Sequence, residues 1–156
     1  MKNQKGFSLI ELLIVVVILG IIASIAIPNL LASRRAANEA SAISSLRTLT
    51  GAEAAYRASY STYATLTELN AKRIIDSSLS DGTISGYNLT CEVSDNPKYW
   101  WSATAIPLTY TGVAATGTRS FATNESNVIM GLEGGTPPLF DPETRGFITG
   151  VPINVQ

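Results

Sequence analysis

Histidine is missing altogether from the 156 residues, and cysteine occurs once, at Cys91. The first absence removes the commonest general base and the commonest zinc ligand. The second forbids an internal disulfide, so any folded region must be held by packing and strand pairing. Cys91 itself reads as a small buried hydrophobe on a strand, with a reactive thiol or an intersubunit bridge as alternatives. Charge is sparse too: Asp, Glu, Lys and Arg make up 15% of the residues and sum to −1. That balance argues against nucleic-acid binding through bulk charge, though not against local basic patches. No glycine-rich phosphate loop, internal repeat or clustered set of acids is present. Neither catalysis, nor a cofactor, nor a bound metal is expected.

What the chain does have is an apolar run, unbroken from Leu12 to Gly20 and continuing to Ile27. Counted from Phe7 to Pro28 it is about 22 residues, or 33 Å as a helix, close to the thickness of a hydrocarbon core. A secretory signal has a shorter apolar core, followed by a small-residue cleavage site. Here the run is longer. Lys2 and Lys5 before it favour a cytoplasmic N-terminus, an asymmetry that Arg34 and Arg35 on the far side weaken. One carboxylate, Glu11, sits inside this run. A charge in hydrocarbon costs at least ~2.5–3.5 kcal/mol, so either Glu11 has a use or it is a tolerated charge near the bilayer edge. A cut between Gly6 and Phe7 would give Phe7 an α-amine one helical turn from Glu11, on the same face. That amine could neutralise Glu11 in its own helix or in a neighbour's.

The residues Gly6-Phe7-Ser8-Leu9-Ile10-Glu11, followed by about twenty apolar residues, resemble the class III leader and N-terminal helix of type IV pilins and type II secretion pseudopilins. The resemblance implies a leader, 1–6, removed by a prepilin peptidase that cuts after Gly6 and methylates Phe7. It implies subunit docking through Glu11, and a helix that melts between Gly20 and Pro28 in a filament; Pro28 itself, which removes a donor and clashes, predicts a bend near it in the isolated chain. The implied partners are further copies of the chain in a helical homopolymer, the peptidase/methyltransferase, and an inner-membrane assembly platform with its ATPase motor. The implied location is the inner membrane first and an extracellular filament afterwards. The implied role is the major pilin of a type IV pilus serving adhesion, motility or DNA uptake, with a type II secretion pseudopilin as the alternative. A DNA-binding minor pilin and a membrane-anchored enzyme are weaker readings.

Beyond Pro28 the pattern turns amphipathic. Ile43, Leu46, Leu49, Tyr56, Tyr60 and Tyr63 fall on one helical face, while Arg34, Arg35, Glu39, Arg47 and Arg57 lie mostly off it. Alanine is frequent from Ala32 to Ala58, which favours helix. One helix is predicted from about Phe7 to Ser59 or Tyr60. Its apolar part is 7–28, and its later part belongs with a head, 29–156. The tyrosines could form an electron path, but core packing explains them more simply. Thr65 and Glu68 match a capping box opening a short helix that runs to about Ile75. The Ser-, Asp- and Gly-rich stretch from Asp76 to Gly86 reads as a loop. Strands are predicted at Tyr87–Ser94, Trp100–Ile106, Arg119–Thr123 and Asn127–Gly131, with a turn at Asp95-Asn96-Pro97. The fold class is α+β: a long helix laid across a three- to four-stranded antiparallel sheet, the pilin order. Ser85-Gly86-Tyr87 and Thr118-Arg119-Ser120-Phe121 also resemble, more weakly, heads of pseudopilins of the G/H group.

From about Leu132 the chain is rich in Gly and Pro, so an irregular tail is predicted, needing a packing partner that Phe140, Phe147 and Ile148 could contact. Asp141 and Glu143 read as a solvated turn rather than as calcium ligands. Asn88-Leu89-Thr90 and Asn124-Glu125-Ser126 match a glycosylation tripeptide that often arises by chance. Of Trp100 and Trp101, strand alternation puts one in the core and one outside.

Overall fold

The computed structural model describes residues 6–96, 98–141 and 143–153. The predicted leader residues 1–5, with Lys2 and Lys5, lie outside the described residues, as do Pro97 of the predicted turn and Pro142 of the tail. The chain divides into two compact units, Met1–Arg34 and Arg35–Gln156. Helix α1 is Leu9–Tyr60 and has Pro28 inside it. It ends where Ser61 takes a positive φ of 58°, its amide still donating to the Arg57 carbonyl.

The capping box forms as the sequence predicts. Thr65 caps α2 (Leu66–Ala71), accepting the Glu68 amide while the Glu68 carboxylate accepts the Thr65 amide. The helix stops sooner than Ile75 because Arg73 adopts a left-handed φ of 56°. The Arg73 amide then bonds Asn70 and the Ile74 amide bonds Leu69, a Schellman closure made without its usual glycine. The expected loop 76–86 contains a short helix, α3 (Ser77–Ser80), and a strand, β1 (Thr83–Ile84). Ser85 and Gly86 both have positive φ, as a two-residue hairpin requires, and they turn β1 into β2.

Among the described residues the sheet has six antiparallel strands in sequence order rather than three or four. The central ones are β2 (Tyr87–Val93), β3 (Trp101–Pro107), β4 (Arg119–Asn124) and β5 (Met130–Glu133). The extra two, β1 and β6 (Val151–Pro152), are two-residue edge strands, too short to show alternation. Strand β5 starts three residues later than predicted. Asn127 has a φ of 61° and closes a turn onto the Asn124 carbonyl, which keeps it out of the ladder. The tail does find its partner: β6 pairs with β5, and Phe140 bridges Phe147 with ring centres 4.6 Å apart.

Within the second unit, Ala42, Leu46, Leu49 and Ala52 of α1 join Tyr87, Leu89, Trp101, Ala103, Ala105 and Phe121 in one buried cluster. Strand β2 alternates as predicted, with Tyr87 and Leu89 inward and Asn88, Thr90 and Glu92 exposed. Trp101 is core and Trp100 half-buried. Of the tyrosine stripe, Tyr63 is core and Tyr56 half-buried. Tyr60, at the helix end, is exposed against the Tyr56 ring. Cys91 is half-buried on β2. Gly117 is required where it stands, since a Cβ there would lie 1.9 Å from the Tyr87 hydroxyl oxygen. That hydroxyl donates to the Arg119 carbonyl.

Candidate functional site

The candidate site is the N-terminal segment around Gly6, Phe7 and Glu11. Gly6, Phe7 and Ser8 precede the helix, and Phe7 is 84% exposed. The first free amides of a helix need acceptors. The Glu11 Oε2 supplies one, accepting the Ser8 amide at 3.0 Å. Ser8-Leu9-Ile10-Glu11 is therefore half of a capping box, the same pattern as Thr65–Glu68, and it gives Glu11 a helix-capping role beside any docking role. From Gly6 to Leu30 every residue but Ala23 is exposed. Such a contiguous apolar surface far exceeds what water tolerates on a soluble domain. The helix is long and apolar enough to cross a membrane, and none of its most apolar window is buried.

Gly20 and Pro28 are both helical. A Cβ on Gly20 would meet nothing within 4 Å, so no neighbour in the described structure demands glycine there; its effect is to loosen the helix. Pro28 has no amide to give the preceding turn. The polar side chains beside it bond back to their own backbone: Ser24 Oγ to the Ile21 carbonyl at 2.7 Å and Asn29 Nδ2 to the Ile25 carbonyl at 3.3 Å. An apolar solvent favours such self-satisfaction.

The head holds two further carboxylates on α1, and sequence reasoning missed both. Glu39, expected off the packed face, is 7% exposed. Its Oε1 accepts the Thr118 amide and hydroxyl, and its Oε2 accepts the Arg119 guanidinium at 2.8 and 2.9 Å. Burial pushes the Glu39 carboxyl up, but the Thr118 and Arg119 donors outweigh it and hold the group below the usual carboxylate range. Glu53 is fully buried. It accepts the Ala64 amide at 3.1 Å and faces the Cys91 thiol at 3.6 Å. Burial pushes it up to about 7, against the downward pull of the Ala64 and Cys91 donors, and the charge of Glu68 adds to the rise. Burial and the Glu53 charge likewise push the Cys91 thiol up, which makes it a poor nucleophile at neutral pH. In the tail, Asp141 Oδ1 accepts the Glu143 and Thr144 amides, both at 2.8 Å, so one of its carboxylate oxygens closes a turn.

Residues 1–27 match the family described as the prokaryotic N-terminal methylation motif. The chain is 40% identical to type II secretion system core protein G of Klebsiella pneumoniae over 65 residues, 42% of this chain and 46% of that protein. It is 42% identical to the core protein G of Vibrio cholerae over 65 residues, 42% and 44% of the two chains. It is 62% identical to the type IV wide pilus major component PilA4 of Thermus thermophilus over 39 residues, 25% and 30% of the two chains. The matches thus span less than half the length of these relatives. The resemblance to type IV pilins and type II secretion pseudopilins stands.

Proposed function

We propose that this chain is a structural subunit of a helical filament, drawn out of a membrane and polymerised through the first half of α1. The observation that carries the proposal is an apolar surface exposed from Phe7 to Leu30, helical from Leu9, with one acid, Glu11, inside it. In lipid such a helix gains little from a second helix. Outside the membrane it must be shielded from water, and side-by-side copies supply the shield. Cleavage after Gly6 frees the Phe7 amine, which a methyltransferase then methylates. That amine pairs with Glu11 of the same or a neighbouring copy and sets the axial register. Gly20 and Pro28 let the helix loosen once lipid no longer penalises free backbone groups. Extraction from the membrane needs an assembly platform and an ATPase motor, both outside this chain.

The finer reading is the major pilin of a type IV pilus, with its N-terminus cytoplasmic before assembly and its filament extracellular. The high identity to the Thermus thermophilus pilus component supports it. The pseudopilin reading is supported by the longer matches to core protein G. Deleting the gene separates them: a pilin predicts loss of surface filaments with secretion intact, and a pseudopilin predicts loss of secreted enzymes with surface filaments intact. Surface filaments and secretion both intact after deletion would overturn both readings.

A further inference from the structure

The outward face of the sheet, turned away from α1, is covered unevenly. Over β4 the tail lies close: Ser120 Oγ donates to the Gly134 carbonyl at 2.7 Å and Asn124 Nδ2 to the Arg145 carbonyl at 2.8 Å. Over β2 it does not, and Thr90 and Glu92 are exposed. A cleft of about 550 Å³ lies where the cover stops, a volume in the range of small-molecule sites.

The cleft has two chemically distinct sides. One is apolar and comes from Trp100, Pro138, Leu139 and Phe140. The other is polar, with the hydroxyls of Thr90, Ser102 and Thr104 and the Glu92 carboxylate. Thr90 and Thr104 are already linked across the strands at 2.8 Å. Arg145 holds the apolar side in place: its guanidinium lies 4.3 Å from the Trp100 ring centre and 5.1 Å from that of Phe140. Its charge is answered by Glu125 at 3.2 Å. Among the described residues no ion pair or hydrogen bond engages the Glu92 carboxylate.

We propose that this cleft binds a neutral sugar of one or two pyranose units, its C–H face on Trp100 and Phe140 and its hydroxyls on Thr90, Ser102, Thr104 and Glu92. A sugar ring is the small ligand that has an apolar face and a rim of hydroxyls, and a free carboxylate accepts two such hydroxyls. An anionic ligand would meet Glu92 with the one nearby guanidinium already paired. An extended peptide adding a strand needs an open sheet edge, whereas β2 and β3 are paired to each other along their whole length. The ordered aromatic wall lowers the entropy lost on binding. This inference is independent of the filament reading, because no residue of the N-terminal segment takes part.

The test uses the full chain in micelles of a zwitterionic detergent without a sugar headgroup. Cellobiose, lactose, maltose and diacetylchitobiose are titrated while tryptophan fluorescence is followed, with Trp100→Phe identifying the responding ring. The expected result is saturation by at least one disaccharide in the range of about 0.1–10 mM, weakened at least ~10-fold in Glu92→Gln. Glu92 is exposed, so that variant should fold; Thr90→Val is the second variant, with the buried Trp101 signal reporting its fold. No saturable response to any of the four sugars would overturn the proposal, as would wild-type affinity in both Glu92→Gln and Thr90→Val. A Trp100 change on subunit assembly, with no response to sugars, would assign the cleft to a second copy and overturn it as well.

Discussion

The two parts of α1 use the same helical geometry for opposite ends. From Leu9 to Leu30 the side chains, Glu11, Ser24 and Asn29 aside, are apolar or small and almost uniformly exposed. From Glu39 to Glu53 the helix buries Ala42, Leu46, Leu49 and Ala52, together with the two carboxylates that bracket them. In the head each acid meets donors from distant sequence: Glu39 from Thr118 and Arg119, Glu53 from Ala64 and Cys91. Glu11 accepts, among the described residues, the amide of its near neighbour Ser8. A buried charge must be paired to be tolerated. The head meets that condition at Glu39, which Arg119 pairs within one chain, whereas burial shifts Glu53 toward its neutral form; the proposed filament meets it at Glu11 with the Phe7 amine of the same or a neighbouring copy.

The comparison breaks most completely at the leader. Gly6→Arg should leave uncut precursor in the membrane and no filaments while the head stays folded. Immunoblotting for precursor size, together with limited proteolysis of the head, checks both halves of that outcome.

In the head the largest effect should come from Glu53 and should depend on pH. Its folded-state pKa is raised to about 7 from an ordinary value of 4.5, so the folded head binds the proton more tightly than the unfolded chain. Its contribution is therefore fully present below pH 4.5 and lost as pH rises through 7, by about 3 kcal/mol in all. Urea unfolding followed by Trp101 fluorescence should show this decline, and Glu53→Gln should flatten it. Glu39 acts in the opposite sense, because its lowered pKa gives stability that is lost as pH falls below the ordinary carboxylate value. A smaller, pH-independent loss of about 1–3 kcal/mol is expected for Gly117→Ala, which drives a methyl into the Tyr87 hydroxyl. The same urea titration reads it, and membrane insertion should be unaffected.

Much of the fold was legible because it repeats at short range. The apolar period of α1, the Thr65–Glu68 box and the alternation of β2 each lie within a few residues of chain. What escaped was set by distance or by unusual backbone. Glu39 read as lying off the packed face because its partners are about 80 residues away. The hairpin at Ser85-Gly86 and the shifted start of β5 depend on left-handed residues, and only one of those, Gly86, is a glycine. At the candidate site the residues were named from sequence, but the Ser8–Glu11 capping pattern was overlooked although its twin at Thr65–Glu68 was recognised. Within an apolar run the charge of Glu11 is its conspicuous property, whereas its hydrogen bond to Ser8 depends on the local backbone.

That geometry supplies the sharpest discriminator. Glutamine at position 11 can still accept the Ser8 amide but carries no charge to meet an amine. Filament yield should therefore be compared in strains making wild-type, Glu11→Gln and Glu11→Ala chains, with cleavage and insertion confirmed in each. If Glu11 docks subunits through its charge, both variants are cut and inserted, and both give few or no filaments. Wild-type filament yield from Glu11→Gln, with loss in Glu11→Ala alone, would reduce Glu11 to a helix cap and contradict the docking account.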